Sequence, residues 1–285
     1  MTGSFGPEWS ASLRRGSEGE LRGWVEAALE WCDATDAMAM QHFRQNPSIE
    51  RKPDRTFVTV ADTAIERRLR ERIADAFPGH GIVGEEFGTD AGEASVRWYV
   101  DPIDGTHNYM RGVPVFGTLL GIERDGELQA GVISAPALGE RWHAWRGGGA
   151  WSTSLRDRIA RRIGVSGVDA ISDASILFTS ETELGKSGRA PGLRNLLASA
   201  WRERGFGDFW SYTLVADGAA EAMFEVGLKP WDAAAPLLLV EEAGGRVTTF
   251  DGDRDWQAAS IIATNGLVHD VVLATLAGRT EATSR

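Results

Sequence analysis

The sequence predicts an α/β fold with mixed sheets, and two observations lead to this prediction. Segments with helical periodicity alternate along the chain with short runs of β-branched and aromatic residues, which is typical of helices layered on sheets. Short glycine-containing turns join pairs of predicted strands, and such hairpins place antiparallel strands in the sheet. The chain has 285 residues, of which 42% are hydrophobic, so it can bury the core of one large domain or of two closely packed halves.

In the first half, apolar residues at helical spacing predict helices over residues 21–43 and 62–77, and Pro78-Gly79 is expected to end the second. Residues 46–60, between these helices, are expected to be extended because two prolines interrupt any helix there. Strands are predicted at residues 82–83, 96–100, 117–122, 130–134 and 142–151, the last turning at three consecutive glycines.

In the second half, strands are predicted at residues 174–179 and 222–226, and helices at residues 191–203, 212–222 and 233–243. Gly244-Gly245 is the glycine signal expected after the last of these helices. We expect residues 19–150 and 151–285 to form the two halves of one intimate domain. Residues 1–18, in which Gly, Ser and Pro are interleaved, are expected to form a mobile leader.

Charge and cysteine content exclude several classes of protein. The formal net charge is −11, from 41 acidic and 30 basic residues, and the basic residues are scattered, which argues against a nucleic-acid-binding surface. Cys32 is the only cysteine of the sequence, which rules out an internal disulfide and fits a reducing compartment. Neither an apolar run of about 18 residues nor a signal-peptide core is found. We therefore expect a cytoplasmic protein that binds neither membranes nor nucleic acids.

Two carboxylates lie three positions apart in the motif Asp101-Pro102-Ile103-Asp104-Gly105-Thr106, directly after the predicted strand at residues 96–100. Pro102 cannot continue a hydrogen-bonded ladder, so the chain is expected to turn there and to bring both carboxylates to the end of the strand. Two adjacent anions repel each other, and such an arrangement usually has a cation between them. The motif alone also fits a polar turn without function.

Further acidic residues stand at the ends of predicted elements. Glu85 and Glu86 follow the predicted strand at residues 82–83, and Asp62 and Asp232 each begin a predicted helix. Each of them also fits an ordinary structural role, because acids are common as helix caps and in solvated turns.

Taken together and in this order, the segments Gly84-Glu85-Glu86, 101–106 and Trp231-Asp232-Ala233-Ala234 resemble the inositol monophosphatase superfamily. Glu242-Ala243-Gly244-Gly245 extends the resemblance, which spans residues 20–275. The resemblance implies a layered αβαβα sandwich of the inositol monophosphatase and fructose-1,6-bisphosphatase type. It also implies a magnesium-dependent, lithium-sensitive phosphomonoesterase that forms a homodimer.

The resemblance implies metal-binding roles in the first half and at the start of the last predicted helix. Glu85, Asp101 and the backbone carbonyl of Ile103 match the ligands of a first Mg²⁺ ion. Asp101, Asp104 and Asp232 match those of a second, and Glu85 helps to hold a third through water. Two or three Mg²⁺ ions are therefore implied, with Mn²⁺ as a substitute. Independently of the family, carboxylate and carbonyl oxygens are the ligands that Mg²⁺ prefers.

Catalytic and substrate-binding roles are implied for further residues. Asp62 and Thr106 match a hydrogen-bonded pair that positions and deprotonates the attacking water, and Glu85 is counted among the catalytic residues with them. The N–H groups of Gly105 and Thr106 match a phosphate cradle at a helix start. Lys52 falls near a basic residue that lines a mobile metal-binding loop, although Arg51 fits that position as well.

Two other phosphatase chemistries fit the sequence less well. A zinc site is disfavoured because the five histidines show no i,i+4 pair and no cysteine partner. Haloacid-dehalogenase-like enzymes carry an aspartyl nucleophile in a D-x-D-x-T motif, whereas Asp101 and Asp104 are three positions apart and a proline follows the first. We therefore expect hydrolysis by a metal-activated water without a phosphoenzyme.

The second half resembles the histidinol-phosphatase branch of the family. In the stretch at residues 204–212 a Gly-Asp pair is followed by aromatic residues and by Ser-Tyr. Histidinol phosphate carries an ammonium group and an imidazole, which Asp208 and Glu225 are suited to bind, with Trp210 or Tyr212 offering an aromatic face. We therefore predict histidinol-phosphate phosphatase activity, with a small phosphorylated metabolite of histidine biosynthesis as the substrate.

Two alternatives stay open. An inositol phosphate, neutral apart from its phosphate, would use Glu225 as a hydroxyl acceptor equally well, so inositol-1-phosphatase or broad-specificity sugar phosphatase activity is the first alternative. His107 stands where family members typically carry Lys, Thr or Ser, and this departure leaves the specificity undecided. A non-catalytic metal-binding scaffold is the second alternative, although the complete set of matching ligands argues against it.

Overall fold

The computed structural model describes residues 17–45, 49–51, 57–93 and 95–278 of the chain. Within these residues the helices and strands form five layers: a helix pair, a large sheet, a second helix pair, a smaller sheet and a third helix pair. This confirms the αβαβα sandwich that the resemblance implied, and both sheets are mixed, as the hairpins predicted.

The first layer consists of α1 (Glu18–His42) and α2 (Val60–Ala76), which confirms the two helices predicted in this part of the chain. Both helices begin with a side-chain cap, provided by Ser17 for α1 and by Thr59 for α2. Ser17 and Glu18 thus belong to the start of α1 and not to the predicted leader, whose residues 1–16 lie outside the described residues.

A short antiparallel hairpin connects the two helices. Its strands are β1 (Ile49–Arg51) and β2 (Phe57–Thr59), so the prediction of an extended connection is confirmed for these residues. Lys52 lies outside the described residues.

The large sheet follows the hairpin. Its strands are β3 (Gly81–Gly84), β4 (Gly88–Asp90), β5 (Val96–Asp104), β6 (Gly117–Arg124), β7 (Glu127–Ala135), β8 (Glu140–Trp145), β9 (Gly149–Ser154) and β10 (Ala160–Ile163). Their order is β10-β9-β8-β7-β6-β5-β3-β4, and β3 is parallel to β5 while the other neighbours are antiparallel. The predicted strands are confirmed, and short glycine-containing turns join β6 to β7 and β8 to β9, as expected. The edge strand β10 was not predicted, because its first three residues are exposed and show no alternation.

The smaller sheet comes from the second half of the chain. Its strands are β11 (Ser175–Phe178), β12 (Arg202–Arg204), β13 (Ala222–Val226), β14 (Arg246–Thr249) and β15 (Ser260–Thr264), in the order β12-β11-β13-β15-β14. After α3 (Thr106–Met110), the remaining α-helices of the described residues are α4 (Glu181–Leu184), α5 (Ala190–Ser199), α6 (Asp208–Ala216), α7 (Pro230–Glu242) and α8 (His269–Leu276). The division of the domain at residue 150 stays a prediction, and β9 crosses that position within the large sheet.

Two predicted helices of the second half have wrong bounds. The helix predicted over residues 191–203 ends at Ser199, because residues 202–204 pair with β11 as an edge strand. The helix predicted over residues 212–222 runs from Asp208 to Ala216, and Gly218, with φ of 74°, follows its end. Strand pairing and the terminal glycine set these boundaries, and neither is visible in the apolar spacing.

Helix α7 lies between the two sheets and is held very close to the large one. A β-carbon at Gly121 would lie 2.2 Å from the β-carbon of Ala234, and one at Gly131 would lie 2.9 Å from the Cα of Ala235. Residues 237–239 of α7 are leucines buried between the sheets, and each contributes about 1.5–3 kcal/mol by burial. The glycines of β6 and β7 therefore fix the position of α7 and of Asp232 in its first turn. None of the described helices combines the length and the apolar character that a membrane span needs.

Candidate active site

The acids predicted to bind metal and to catalyse meet at one edge of the large sheet. Glu85 follows the carboxyl end of β3, and Asp101 and Asp104 lie at the end of β5. Because β3 and β5 are parallel neighbours, both strands deliver their carboxylates to the same edge. Asp62 in the first turn of α2 and Asp232 in the first turn of α7 reach this edge from opposite faces of the sheet.

Strand β5 was predicted to end at Val100 and the chain to turn at Pro102, and this is wrong. The strand continues to Asp104 through a bulge. The register with β6 shifts between Asp101 and Asp104, so Pro102 needs no ladder N–H. The Ile103 N–H donates to Asp101 Oδ1 at 3.0 Å, and Thr118 Oγ1 donates to the Pro102 carbonyl at 2.8 Å. The bulge thereby fixes the orientation of the Asp101 carboxylate.

Asp101 lies at the centre of the carboxylate cluster and is only 2% exposed. Burial raises the pKa of Asp101 well above its usual range. The neighbouring carboxylates that raise it further are Glu85, Asp104, Asp232 and Asp62. Because like charges at close range disfavour ionisation, the cluster favours either a bound proton or a bound cation.

Asp104 and Asp232 are each anchored at the start of a helix. Asp104 Oδ2 accepts a hydrogen bond from the Phe209 N–H of α6 at 2.7 Å, and Asp232 Oδ2 accepts one from the Lys229 N–H at 3.0 Å. Burial is the largest cause of the raised pKa of both acids, and it brings the pKa of Asp232 to about 7. The contact between Asp104 and α6 connects the predicted metal ligands to the second half of the chain.

Asp62 is held through one carboxylate oxygen only. Its Oδ2 accepts hydrogen bonds from both the N–H and the hydroxyl group of Thr59, while its buried Oδ1 has no hydrogen-bond partner among the described residues. Burial raises the pKa of Asp62 to about 6, against the hydrogen bonds from Thr59 and together with the charge of Glu85. A buried oxygen of this kind is expected where a water, metal or substrate atom completes a site.

The expected hydrogen bond between Asp62 and Thr106 is not formed. Thr106 Oγ1 donates instead to the backbone carbonyl of Ile103 at 3.0 Å. The reason is local geometry: Thr106 is the first residue of α3, three residues after Ile103, and its hydroxyl reaches back over the turn.

Gly105 begins α3 in the left-handed conformation, with φ of 80° and ψ of 35°. A β-carbon at this position would lie 2.9 Å from the carbonyl oxygen of Val115, so glycine is required there. The first helical hydrogen bond of α3 joins the Tyr109 N–H to the Gly105 carbonyl at 3.0 Å, so the helix does not use the N–H groups of Gly105 and Thr106. A phosphate cradle formed by these two groups stays a prediction.

The two acids predicted to bind substrate lie near the carboxylates that are predicted to bind metal. The charge of Asp208 raises the pKa of Asp104, and the charges of Asp208 and Asp232 raise that of Glu225. Asp208, with φ of 50°, is held in the left-handed region at the start of α6, and its Oδ2 accepts a hydrogen bond from Asn108 Nδ2 at 3.3 Å. The structure thus brings both acids to the site although they are distant from β3 and β5 in sequence.

Tyr212 does not offer the open aromatic face that the sequence suggested. It is buried, and its hydroxyl donates to Glu225 Oε2 at 2.8 Å. Burial raises the pKa of Glu225 to about 8, and this hydrogen bond acts against the rise. Trp210 is half-buried and packs against Phe206 with ring centroids 4.8 Å apart, so it is the one of the two aromatic candidates that keeps exposed surface.

Two further residues near the site escaped the sequence analysis. Thr59 holds Asp62, and Glu66, one helical turn after Asp62, accepts hydrogen bonds from the backbone after Glu85. The signal available for Glu66 was its i,i+4 spacing from Asp62, which places both on one face of α2.

The donor set fits a hard divalent cation in its chemistry and charge. Carboxylates dominate the cluster, they raise one another's pKa, and a buried Asp62 oxygen lacks a partner. Within the described ranges, no three Asp, Glu, His or Cys side chains stand in positions ready to hold a metal ion.

The chain is similar to several known proteins. The family model described as the inositol monophosphatase family matches residues 20–281. A histidinol-phosphatase of Mycobacterium tuberculosis is 42% identical over 250 residues, which cover 87% of this chain and 96% of the relative. An inositol-1-monophosphatase of Mesorhizobium japonicum is 36% identical over 232 residues, covering 80% of this chain and 86% of the relative.

A solved structure shows the same fold. The inositol monophosphatase of Thermotoga maritima superposes with a TM-score of 0.80 and 28% sequence identity, covering 90% of this chain and 98% of its own. Together with the match of the family model over nearly the whole chain, this identifies the protein as a member of the inositol monophosphatase family.

Proposed function

We propose that this protein is a metal-dependent phosphomonoesterase that hydrolyses histidinol phosphate to histidinol and phosphate. The observation that carries the substrate assignment is the position of Asp208 and Glu225 beside the metal-site carboxylates. Histidinol phosphate presents an ammonium group and an imidazole beyond its phosphate, and two carboxylates complement these groups. The name of the relative with 42% identity supports the same substrate.

Glu85, Asp101, Asp104, Asp232 and the carbonyl of Ile103 would hold two or three Mg²⁺ ions, with Mn²⁺ as a substitute. When bound, such ions lower the pKa of the attacking water and offset charge on the phosphoryl and leaving oxygens. They also offset the repulsion that raises the pKa of Asp101.

Asp62 acts as the general base. Its pKa of about 6 leaves it mostly ionised at neutral pH, and its Oδ1 is available to accept a proton from water while Thr59 holds Oδ2. Gly105 and Thr106 orient the phosphate through their N–H groups, and the Thr106 hydroxyl keeps the Ile103 carbonyl in place. Glu85 contributes both to water activation and to metal binding, because its charge acts on Asp62 and on Asp101.

Asp101 is not a nucleophile in this proposal. One of its oxygens accepts the Ile103 N–H, and its carboxylate is buried among other acids that would repel an incoming phosphate in the absence of cations. Water attacks directly, and no phosphoenzyme forms.

Inositol-1-phosphate is the second candidate substrate. Glu225, oriented by Tyr212, is suited to accept a hydrogen bond from a ring hydroxyl, and relatives named inositol-1-monophosphatase reach 36% identity. A non-catalytic scaffold is not supported, since the relatives compared above are phosphatases by name. The homodimer and the cytoplasmic location stay predictions, and sedimentation velocity tests the first of them.

The Asp208→Asn variant tests the substrate assignment. It removes one negative charge and keeps the size of the side chain, so kcat/KM for histidinol phosphate is expected to fall. The value for inositol-1-phosphate is expected to change little, because its polyol part carries no charge. Steady-state phosphate release with both substrates measures this ratio. An equal effect on both substrates would contradict the role given to Asp208.

A further inference from the structure

A buried carboxylate on α2 holds the backbone that follows Glu85. Glu66 has a side chain that is 0% exposed, and it lies one helical turn after Asp62. Its Oε2 accepts a hydrogen bond from the Glu86 N–H at 2.6 Å, and its Oε1 accepts one from the Phe87 N–H at 3.1 Å. Two consecutive backbone donors are therefore satisfied by one side chain of a neighbouring helix.

The approach of Glu66 to this loop depends on a glycine. A β-carbon at Gly84 would lie 2.0 Å from Oε1 of Glu66, so any larger residue there would push the carboxylate away from the loop. Arg70, one further turn along α2, donates from Nε to Glu66 Oε1 at 2.8 Å and from Nη2 to the Gly88 carbonyl. The two side chains thus hold the turn between β3 and β4 at Glu86, Phe87 and Gly88.

Helix α2 thus connects the proposed base, Asp62, with the backbone next to Glu85, a predicted metal ligand. Asp62 and Glu66 lie four residues apart on one face of α2. The Glu85 N–H is bonded to the carbonyl of Val100, the last residue before Asp101, at 3.2 Å. The chain is therefore held by β5 at Glu85 and by α2 at the next residue, Glu86. The charge of the Glu85 side chain acts on Asp62 and Asp101.

We propose that Glu66 is a positioning residue that orients Glu85 and thereby sets the affinity of the site for divalent cations. The proposal rests on the metal-dependent function proposed above. A supporting residue that orients a metal ligand usually changes metal affinity by roughly 10- to 100-fold when it is replaced. Glutamine at this position keeps the shape of the side chain but has only one acceptor oxygen. Its NH₂ group then faces one of the two backbone N–H donors, which loses its acceptor.

The Glu66→Gln variant is compared with a matched control, Glu221→Gln. Glu221 is also a buried acid that accepts a backbone N–H, from Ser175 at 2.5 Å, and a side-chain hydrogen bond from Ser166 at 2.8 Å. It belongs to the smaller-sheet region and has no part in the proposed metal site. Both variants are expected to have a lower Tm in the absence of metal, because each leaves a buried backbone donor without its carboxylate.

Binding of Mn²⁺ to the whole chain distinguishes a role of Glu66 in positioning Glu85 from a role in stability alone. The binding is measured from the paramagnetic resonance signal of the free ion. We expect Glu66→Gln to bind Mn²⁺ roughly 10- to 100-fold more weakly than the wild type, and Glu221→Gln to bind it with wild-type affinity. If Glu66→Gln does not fold, Glu66→Asp, which keeps the charge but is one methylene shorter, is measured instead and is expected to bind Mn²⁺ more weakly.

Three results would overturn the proposal, and they are distinguishable. Wild-type affinity in the Glu66 variant, or equal weakening in both variants, leaves the metal-dependent function intact and limits Glu66 to a role in stability. A wild-type protein that binds no divalent cation contradicts the proposed function itself, and the role of Glu66 with it.

Discussion

The Tyr212→Phe substitution removes one hydrogen bond from the buried acid that we propose to bind the cationic part of the substrate. The Tyr212 hydroxyl lies 2.8 Å from Glu225 Oε2, and the tyrosine is 1% exposed. Burial raises the pKa of Glu225 to about 8, and the hydrogen bond from Tyr212 lowers it. Phenylalanine keeps the ring in the core and removes the hydroxyl group, so the pKa of Glu225 rises further and a smaller fraction of it is ionised at neutral pH.

The expected loss follows from the strength of this hydrogen bond. A hydrogen bond to a charged group contributes about 1.5 to 3 kcal/mol, which corresponds to roughly 10- to 150-fold in an equilibrium constant. We expect kcat/KM for histidinol phosphate to fall by a factor in this range. The pH profile of kcat/KM also moves to higher pH, because the ionised form of Glu225 is the form that binds a cation.

Phosphate release between about pH 6 and pH 9, which brackets the pKa of Glu225, measures both effects. The matched control is Tyr99→Phe, which removes a hydroxyl that lies 3.4 Å from Gln257 Nε2, outside the proposed site. An unchanged kcat/KM for histidinol phosphate in Tyr212→Phe, or an equal loss in Tyr99→Phe, would refute the reasoning.

Three further predictions follow from the carboxylate cluster. Asp101→Asn is expected to reduce phosphate release to background while circular dichroism shows an intact fold, and a fully active variant would contradict the role of Asp101 as a shared metal ligand. Asp62→Asn is expected to lower kcat by roughly 100- to 10,000-fold and to abolish the rise of kcat/KM with pH through about 6, and a pH profile that keeps this limb assigns the base elsewhere. In the metal-free protein the raised pKa values of Asp62, Asp232 and Glu225, about 6, 7 and 8, mean that the native state binds more protons than the unfolded chain once the pH exceeds about 4. The contribution of these groups to the free energy of unfolding therefore falls as pH rises toward 8. We expect the Tm measured in EDTA to fall over the same pH range and added Mg²⁺ to raise it again. A Tm that Mg²⁺ does not raise at pH 8 would count against the metal site.

The first half of the fold was accessible from the sequence because its signals are local. The helices α1 and α2 have regular apolar spacing, and the hairpins have short glycine-containing turns. In the second half, β12 forms only by pairing with β11, and its three exposed residues carry no pattern of their own. The end of β5 was also missed, because a proline is compatible with a strand when it occupies a bulge.

The acids of the candidate site were found because they stand at element ends in an ordered set of motifs. The partners that hold them were not found, since hydrogen bonding between distant segments has no signature in the sequence. Tyr212 bonds to Glu225 across 13 positions and Phe209 to Asp104 across 105, and only the packing of α6 between the sheets brings them together. The expected hydrogen bond between Asp62 and Thr106 was wrong for a local reason, because the Thr106 hydroxyl donates to the carbonyl of Ile103, three residues before it.

The most direct test of metal-dependent hydrolysis of histidinol phosphate is a comparison of steady-state kcat/KM values of the wild-type protein. The substrates compared are histidinol phosphate, inositol-1-phosphate and fructose-1,6-bisphosphate. Each substrate is measured with Mg²⁺ and again in the presence of EDTA. We predict the highest kcat/KM for histidinol phosphate and loss of phosphate release in EDTA. A higher kcat/KM for inositol-1-phosphate or fructose-1,6-bisphosphate would contradict the substrate assignment, and turnover that persists in EDTA would contradict the metal-dependent mechanism.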